Sequence, residues 1–201
     1  ALENAGVKIE VFAADVSKAE DVAKLLAQTS NLRGVVHAAG VLDDGMLMHQ
    51  SPKRFLKVAG PKVSGAWNLH IQTKDLPLDF FVLFSSVASI IGSPGQSNYA
   101  AANAFMDGLA HHRKNQGLVA TSINWGPWSD VGMAASDVVL QRLMKDGWQP
   151  MNASQGCDFI GHLLKVCKLP QAAVLPVDWR QFATSIPGAV NWNILSHLVS
   201  K

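Results

Sequence analysis

The chain has 201 residues, of which 48% are hydrophobic and 16% charged, which is enough to build one sizeable core and excludes a disordered tail. Seventeen Lys and Arg against fifteen Asp and Glu leave a net charge of +2, without the basic footprint of a nucleic-acid-binding domain. Tyr99 is the single tyrosine, beside six Trp and eight Phe. No apolar run approaches the roughly 20 residues of a membrane span, and Ala1 to Asn4 lack the basic and apolar blocks of a secretory signal. A cytoplasmic setting is expected. Cys157 and Cys167 lie ten apart with no CxxC or His cluster, so neither a metal site nor a disulfide is expected, and both read as buried, reduced thiols.

The pattern then alternates strand and helix. Val7 to Val16 predicts a strand, and Ser17 with Glu20 has the capping-box spacing that opens a helix through Leu25 and Leu26. Gly34 to Ala39, ending in Gly40, predicts a buried parallel strand, with a loop over Val41 to Gln50. Ser51 as cap and Pro52 at the first helical position start a long helix with Phe55, Ala59, Val63 and Ala66 on one face and a kink at Pro61. Leu78 to Ser85 predicts a central strand, and Ser85 to Ser97 an ordered Gly/Ser/Pro-rich loop. A helix over Ala102 to Ala110 ends near Gly117, and Val119 to Trp125 predicts the next strand. Helices about Asp137 to Lys145 and Ser154 to Val166, within a lid region about 133–168, precede a closing strand about 172–177. This order predicts an α/β fold, a doubly wound, Rossmann-like parallel sheet in a single domain over 1–201, with ligands above the strands' carboxyl ends near Gly40, Ser86 and Gly126.

Tyr99 opens a helix after a Gly/Pro-rich loop, and Asn103 follows one turn later on the same face. A phenol with an ordinary pKa of about 10 acts as a proton donor near neutrality when a nearby cation favours its phenolate. Lys62, inside an otherwise apolar stripe, is the candidate cation; its alternative is a lysine whose stem reaches out to solvent. Ser85 and Ser86 end the central strand, where a hydroxyl can bind a substrate carbonyl or simply shape a turn. Ser93 and Ser97 both fail G-x-S-x-G, which argues against a hydrolase.

The runs FSSVAS (Phe84 to Ser89), GSPGQSNYAAANAF (Gly92 to Phe105), HAAGVLDDG (His37 to Gly45), PKVSGA (Pro61 to Ala66), NWGPW (Asn124 to Trp128), VGMA (Val131 to Ala134) and LPVDW (Leu175 to Trp179) stand in that register. Together they closely resemble the ketoreductase domain of modular type I polyketide synthases, a branch of the short-chain dehydrogenase/reductases. The resemblance implies that Tyr99 donates a proton to the reduced carbonyl oxygen, Ser86 holds that oxygen, Lys62 lowers the phenol's pKa and Asn103 completes the group. It implies NADPH as cofactor, with Asp15 and Val16 at the adenine, His37, Ala38, Ala39 and Gly40 beside the ribose, and Pro127 and Trp128 under the nicotinamide. Read without the resemblance, Asp15 is an ordinary turn former, His37 a satisfied structural histidine and Trp128 lid packing. Leu42, Asp43 and Asp44 resemble the loop motif of B-type ketoreductases, and Pro94, Gln96 and Asn98 belong to the same substrate-facing region. Ile91 stands where A-type domains carry Trp. A (3R)-hydroxyacyl thioester made on an acyl carrier protein is therefore expected; as bare chemistry, Asp43 and Asp44 are solvated loop charges.

No G-x-G-x-x-G stands in these residues, and the first two strands of the fold are not recognisable. In the doubly wound order Val7 to Val16 is then a third strand without its neighbours, leaving unpaired backbone groups. The expectation is the carboxyl-terminal part of a ketoreductase that works with an N-terminal half on the same or a separate polypeptide. The competing expectation is a non-catalytic structural half-domain of a synthase.

Overall fold

The computed structural model describes residues 6–130, 137–166, 168–186, 188 and 192–198. Four parallel strands, β1 (Gly34–His37), β2 (Phe80–Ser86), β3 (Thr121–Trp125) and β4 (Gln171–Val174), lie side by side in chain order. Helices α1 (Ala19–Gln28), α2 (Pro52–Ala59), α3 (Gly65–Thr73), α4 (Ala88–Ile91), α5 (Ser97–Asn115), α6 (Asp137–Lys145), α7 (Ala153–Val166) and α8 (Trp179–Ser185) connect and flank them. The doubly wound α/β expectation holds. Among the described residues no helix is long and apolar enough to cross a membrane.

The central strands read as continuous apolar runs because both faces are covered. Phe81 and Leu83 join Met106, Leu109 and Ala110 of α5 and Ala66 and Leu69 of α3 on one face. Val82, Ile123 and Trp125 meet Met151 and Val174 on the other. The Trp128 ring packs on Trp125 with centroids 4.9 Å apart and lies directly over Gly156 of α7. A side chain at position 156 meets that ring. Gly156→Val is therefore expected to lower stability by about 1–3 kcal/mol through overpacking, read as a lower urea midpoint with an unchanged slope; an unchanged midpoint would show that α7 can move away.

Four local predictions are corrected. Val7 to Val16 forms no strand: among the described residues no strand pairs with its backbone, and Val7, Ile9, Val11 and Phe12 are exposed. Ser17 does not cap α1; its hydroxyl donates to Asp15 Oδ1 at 2.7 Å and the helix begins at Ala19 without a side-chain cap. The long helix after Ser51 is interrupted as Pro61 requires, but by a π-turn over Gly60–Ser64. That wider turn inserts a residue into the register. The buried face consequently runs Val58, Lys62, Ala66 and Leu69, and Phe55 is exposed. Ser51 does cap α2, accepting from the Arg54 amide at 3.4 Å. Cys157 is exposed and free rather than buried, on the solvent side of α7; Cys167 and the run Val131 to Ala134 lie outside the described residues.

Candidate active site

In a parallel sheet all carboxyl ends face one edge. Here that edge collects His37 to Gly40 after β1, Ser86 at the end of β2, and Gly126 to Trp128 after β3. The first turn of α5 brings Tyr99, and with it Asn103, to the same edge.

The π-turn carries Lys62 to its position. Its side chain is 3% exposed, its Nζ donates to the Phe84 carbonyl at 3.0 Å, and it sits 5.2 Å from the centroid of the Tyr99 ring. The lysine does not reach solvent. Burial holds its pKa down to about 8, opposed by the negative charge of Asp107. Gly40 lines this lysine so closely that a Cβ would stand 2.9 Å from Lys62 Cε, so a side chain there would displace the end of the lysine.

Asn103 is fully buried. Its Nδ2 donates to the Tyr99 carbonyl at 2.8 Å, while its Oδ1 is buried with no hydrogen-bond partner. Burial raises the Tyr99 phenol above its ordinary pKa; hydrogen bonding with the Ser86 and Asn103 side chains pulls it down, and Asp44 pushes it up. The phenol is thus protonated at neutral pH, as a proton donor must be; the expected lowering of its pKa by Lys62 is not found, because burial outweighs the groups that favour the phenolate and Lys62 is not one of them. Ser86 and Tyr99 are partly exposed, whereas Lys62 and Asn103 are buried beneath them.

His37 takes the structural reading. It is 3% exposed and its Nε2 lies 3.0 Å from the Pro61 carbonyl, which accepts from the neutral ring. The histidine therefore holds the turn that presents Lys62. Burial, then the nearby Lys62 charge, drives its pKa down to about 4. In the unfolded chain it titrates near 6.5. Between these values the unfolded state binds more protons, so this contribution is complete above about 6.5 and is lost as pH falls toward 4. His70, lowered by burial and by Arg113, acts in the same direction. Unfolding stability is expected to be roughly 2 kcal/mol lower at pH 5 than at pH 8 from His37 alone. Urea melts across this range test it, with a flat profile as the contrary result.

The loop after Gly40 is fastened over the site. Arg54 Nε donates to Asp43 Oδ1 at 2.7 Å and its Nη2 to the Asp44 carbonyl at 2.5 Å. Asn98 Nδ2 donates to the Asp43 carbonyl at 2.8 Å, Gln96 Nε2 to Asp44 Oδ2 at 2.9 Å, and Gly45 N to the Gly95 carbonyl at 2.8 Å. Asp43 is therefore an ion-paired anchor, held below the usual carboxylate range by Arg54 and Lys57. Leu42 is half-buried and Pro94 exposed in the same mouth.

Asp15 Oδ1 accepts from the Ser17 amide and hydroxyl, the turn-forming arrangement, and the Val16 carbonyl accepts from Asn68 Nδ2 at 3.0 Å. Ala38 is exposed, and Ala39, Pro127 and Trp128 are half-buried along the edge. The described residues contain no group of His, Cys, Asp or Glu suited to a metal ion. A carboxylate beneath the site, Asp107, went unnoticed in the sequence; its place in an otherwise apolar helix face, one turn after Asn103, is the signal that marks it.

A parallel sheet with Ser, Tyr, Lys and Asn gathered at its carboxyl edge defines a domain of the short-chain dehydrogenase/reductase type. The KR domain family model matches residues 1–130. Polyketide synthase GfsA of Streptomyces halstedii is 43% identical over 200 residues, covering 98% of this chain and 3% of that protein. Phenolphthiocerol synthesis polyketide synthase type I Pks15/1 of Mycobacterium marinum is 45% identical over 172 residues, 82% of this chain and 8% of that one. Among solved structures, A-type ketoreductases from a modular polyketide synthase match with TM-score 0.87 and 39% identity, over 92% of this chain and 39% of theirs. A C2-type ketoreductase from a modular polyketide synthase matches with TM-score 0.83 and 30% identity, over 94% and 41%. The chain belongs to the ketoreductase domain family of polyketide synthases. It spans a small fraction of the length of these synthases and about two fifths of the solved ketoreductase chains.

Proposed function

We propose that this chain carries the catalytic part of an NADPH-dependent ketoreductase that reduces a β-ketoacyl thioester, delivered by an acyl carrier protein, to a (3R)-hydroxyacyl thioester in polyketide biosynthesis. The observation that carries this reading is the convergence of Lys62, Ser86, Tyr99 and Asn103 at the sheet's carboxyl edge.

The cofactor's nicotinamide supplies a hydride to the carbonyl carbon when bound. The residues here suit its nicotinamide and ribose end: Trp128 offers an apolar wall, and Asn103 Oδ1 is a buried acceptor without a protein donor. Asp15 and Val16 are assigned to the adenine end. The phosphate contacts are assigned to an N-terminal half carrying a Gly-rich loop, on the same or a separate polypeptide.

Ser86 Oγ binds the carbonyl oxygen and orients it toward the phenol. Tyr99 gives its proton to that oxygen as negative charge develops there, which turns the carbonyl into a hydroxyl. The Lys62 ammonium stabilises the phenolate left behind, at a distance where a dry environment strengthens the attraction. Asn103 ties the first turn of α5 together and so fixes the ring. Asp43, Asp44, Leu42, Pro94, Gln96 and Asn98 form the wall that selects which face of the ketone meets the hydride.

The test of the stereochemical part is chiral chromatography of the product made by the intact domain. A (3R) product with preference for NADPH over NADH is expected; a (3S) product would overturn the B-type assignment.

A further inference from the structure

Beneath the four residues lies a buried polar layer that the roles above leave unused. Asp107 stands on α5 about two turns beyond Tyr99 and is 7% exposed. Its Oδ1 accepts from the Ser122 hydroxyl of β3 at 2.6 Å, and its Oδ2 from the Ser89 hydroxyl at 2.6 Å and from Asn124 Nδ2 at 2.9 Å. Ser89 Oγ is also 2.8 Å from the Ser86 carbonyl oxygen, which Asn124 Nδ2 approaches to 3.3 Å. Asn124 Nδ2 further lies 3.1 Å from Ser85 Oγ, which donates to the Asn103 carbonyl at 3.3 Å. Gln171 Nε2 donates to Asn124 Oδ1 at 3.0 Å and fixes the orientation of that amide.

Two branches of this network end on site residues, and a third ties Asp107 to Ser122 of β3. Through Asn124 it reaches the backbone carbonyl of Ser86, and through Ser85 that of Asn103. Apolar side chains of similar volume fill such a layer at no loss of stability, whereas a shared carboxylate with several donors fixes one arrangement of β2, β3 and α5. We propose that Asp107 is a positioning residue for the reduction: its carboxylate locks Ser86 to α5, and so sets the separation between the serine hydroxyl and the Tyr99 phenol. This rests on the roles given to Ser86, Tyr99 and Lys62 above.

The geometry makes a test that a purely structural role does not satisfy. In the intact domain, Asp107→Asn is expected to lower kcat roughly 10- to 100-fold, since a misplaced catalytic group loses rate steeply, with little change in the KM for NADPH. Lys62 is faced by His37 from β1 and by Tyr99 and Asp107 from α5; only Asp107 is altered, so the alkaline limb of kcat moves to lower pH. Ser122→Ala, which removes only the tether on the β3 side, lowers Tm while leaving kcat and that limb in place. If Asp107→Asn does not fold, Ser89→Ala, which removes the hydroxyl donor on Asp107 Oδ2 beside the Ser86 backbone, supplies the same reading through its kcat. Wild-type kcat and pH profile in Asp107→Asn, or in Ser89→Ala where that is the variant measured, overturns the proposal. Tyr99→Phe, assayed in parallel, separates the two levels: full turnover there overturns the catalytic roles themselves.

Discussion

Replacing Tyr99 by Phe is expected to lower ketone reduction by about 10²- to 10⁴-fold, the range that a positioned general acid contributes, while NADPH binding stays within a few-fold. The phenol is the proton donor of the account, and burial together with Asp44 keeps it protonated at neutral pH. Removing its oxygen leaves the ring, and with it the contact under Lys62, so the site keeps its shape. Turnover by stopped-flow NADPH fluorescence, with cofactor affinity from the same titration, reads both quantities. A variant that reduces ketone at the wild-type rate would assign the proton to water or to another group. Tyr99 is the single tyrosine of these 201 residues, so a phenol titration of this chain alone by ultraviolet difference spectroscopy reports this residue.

Lys62→Met is expected to part activity from stability. Loss of the ammonium removes the charge that balances the phenolate, and turnover falls about 10²-fold or more. The folded protein gains, because a lysine held near 8 in the fold and near 10.4 when unfolded is a buried charge at pH 7. The sign follows from proton counting: between those values the unfolded chain binds more protons, so wild-type stability rises with pH from about 8 to 10. At neutral pH the cost is about 3 kcal/mol, part of which the lost hydrogen bond to Phe84 takes back. A thermal melt at pH 7 is expected to show an equal or higher Tm in Lys62→Met. A strongly lowered Tm would make Lys62 a structural cation and remove it from the site. In the wild type, the same lysine makes turnover fall as pH rises through about 8.

Much of this site was legible in the sequence because it follows strand ends. Strong apolar runs such as Phe80 to Phe84 announce buried parallel strands, and in a parallel sheet their last residues share one edge; Ser86 and Trp125 stand in register on neighbouring strands. Tyr99 and Asn103 needed only helical spacing. The burial of Lys62 was legible as a charge within an apolar stripe, but the stripe itself was misread, since a π-turn at Pro61 shifts the buried face to Val58, Lys62 and Ala66. Local pattern carries no signal for such an inserted residue. Val7 to Val16 failed for a different reason: alternation gives a segment's preference, whereas a strand exists only with a partner beside it. Arg54 and Asp107 escaped notice because their meaning lies in contacts across 11 to 18 positions of sequence, with loop and strand brought together by the fold.

The measurement that bears most directly on the whole account is turnover itself. The intact domain is supplied with NADPH and a β-ketoacyl thioester on its carrier protein, and cofactor oxidation is followed alongside the hydroxyacyl product by mass spectrometry. The arrangement of Lys62, Ser86, Tyr99 and Asn103 predicts one hydroxyacyl thioester for each NADPH oxidised, abolished by Tyr99→Phe. Binding of both cofactor and thioester with no product formed would contradict it, and would make this chain a structural part of its synthase.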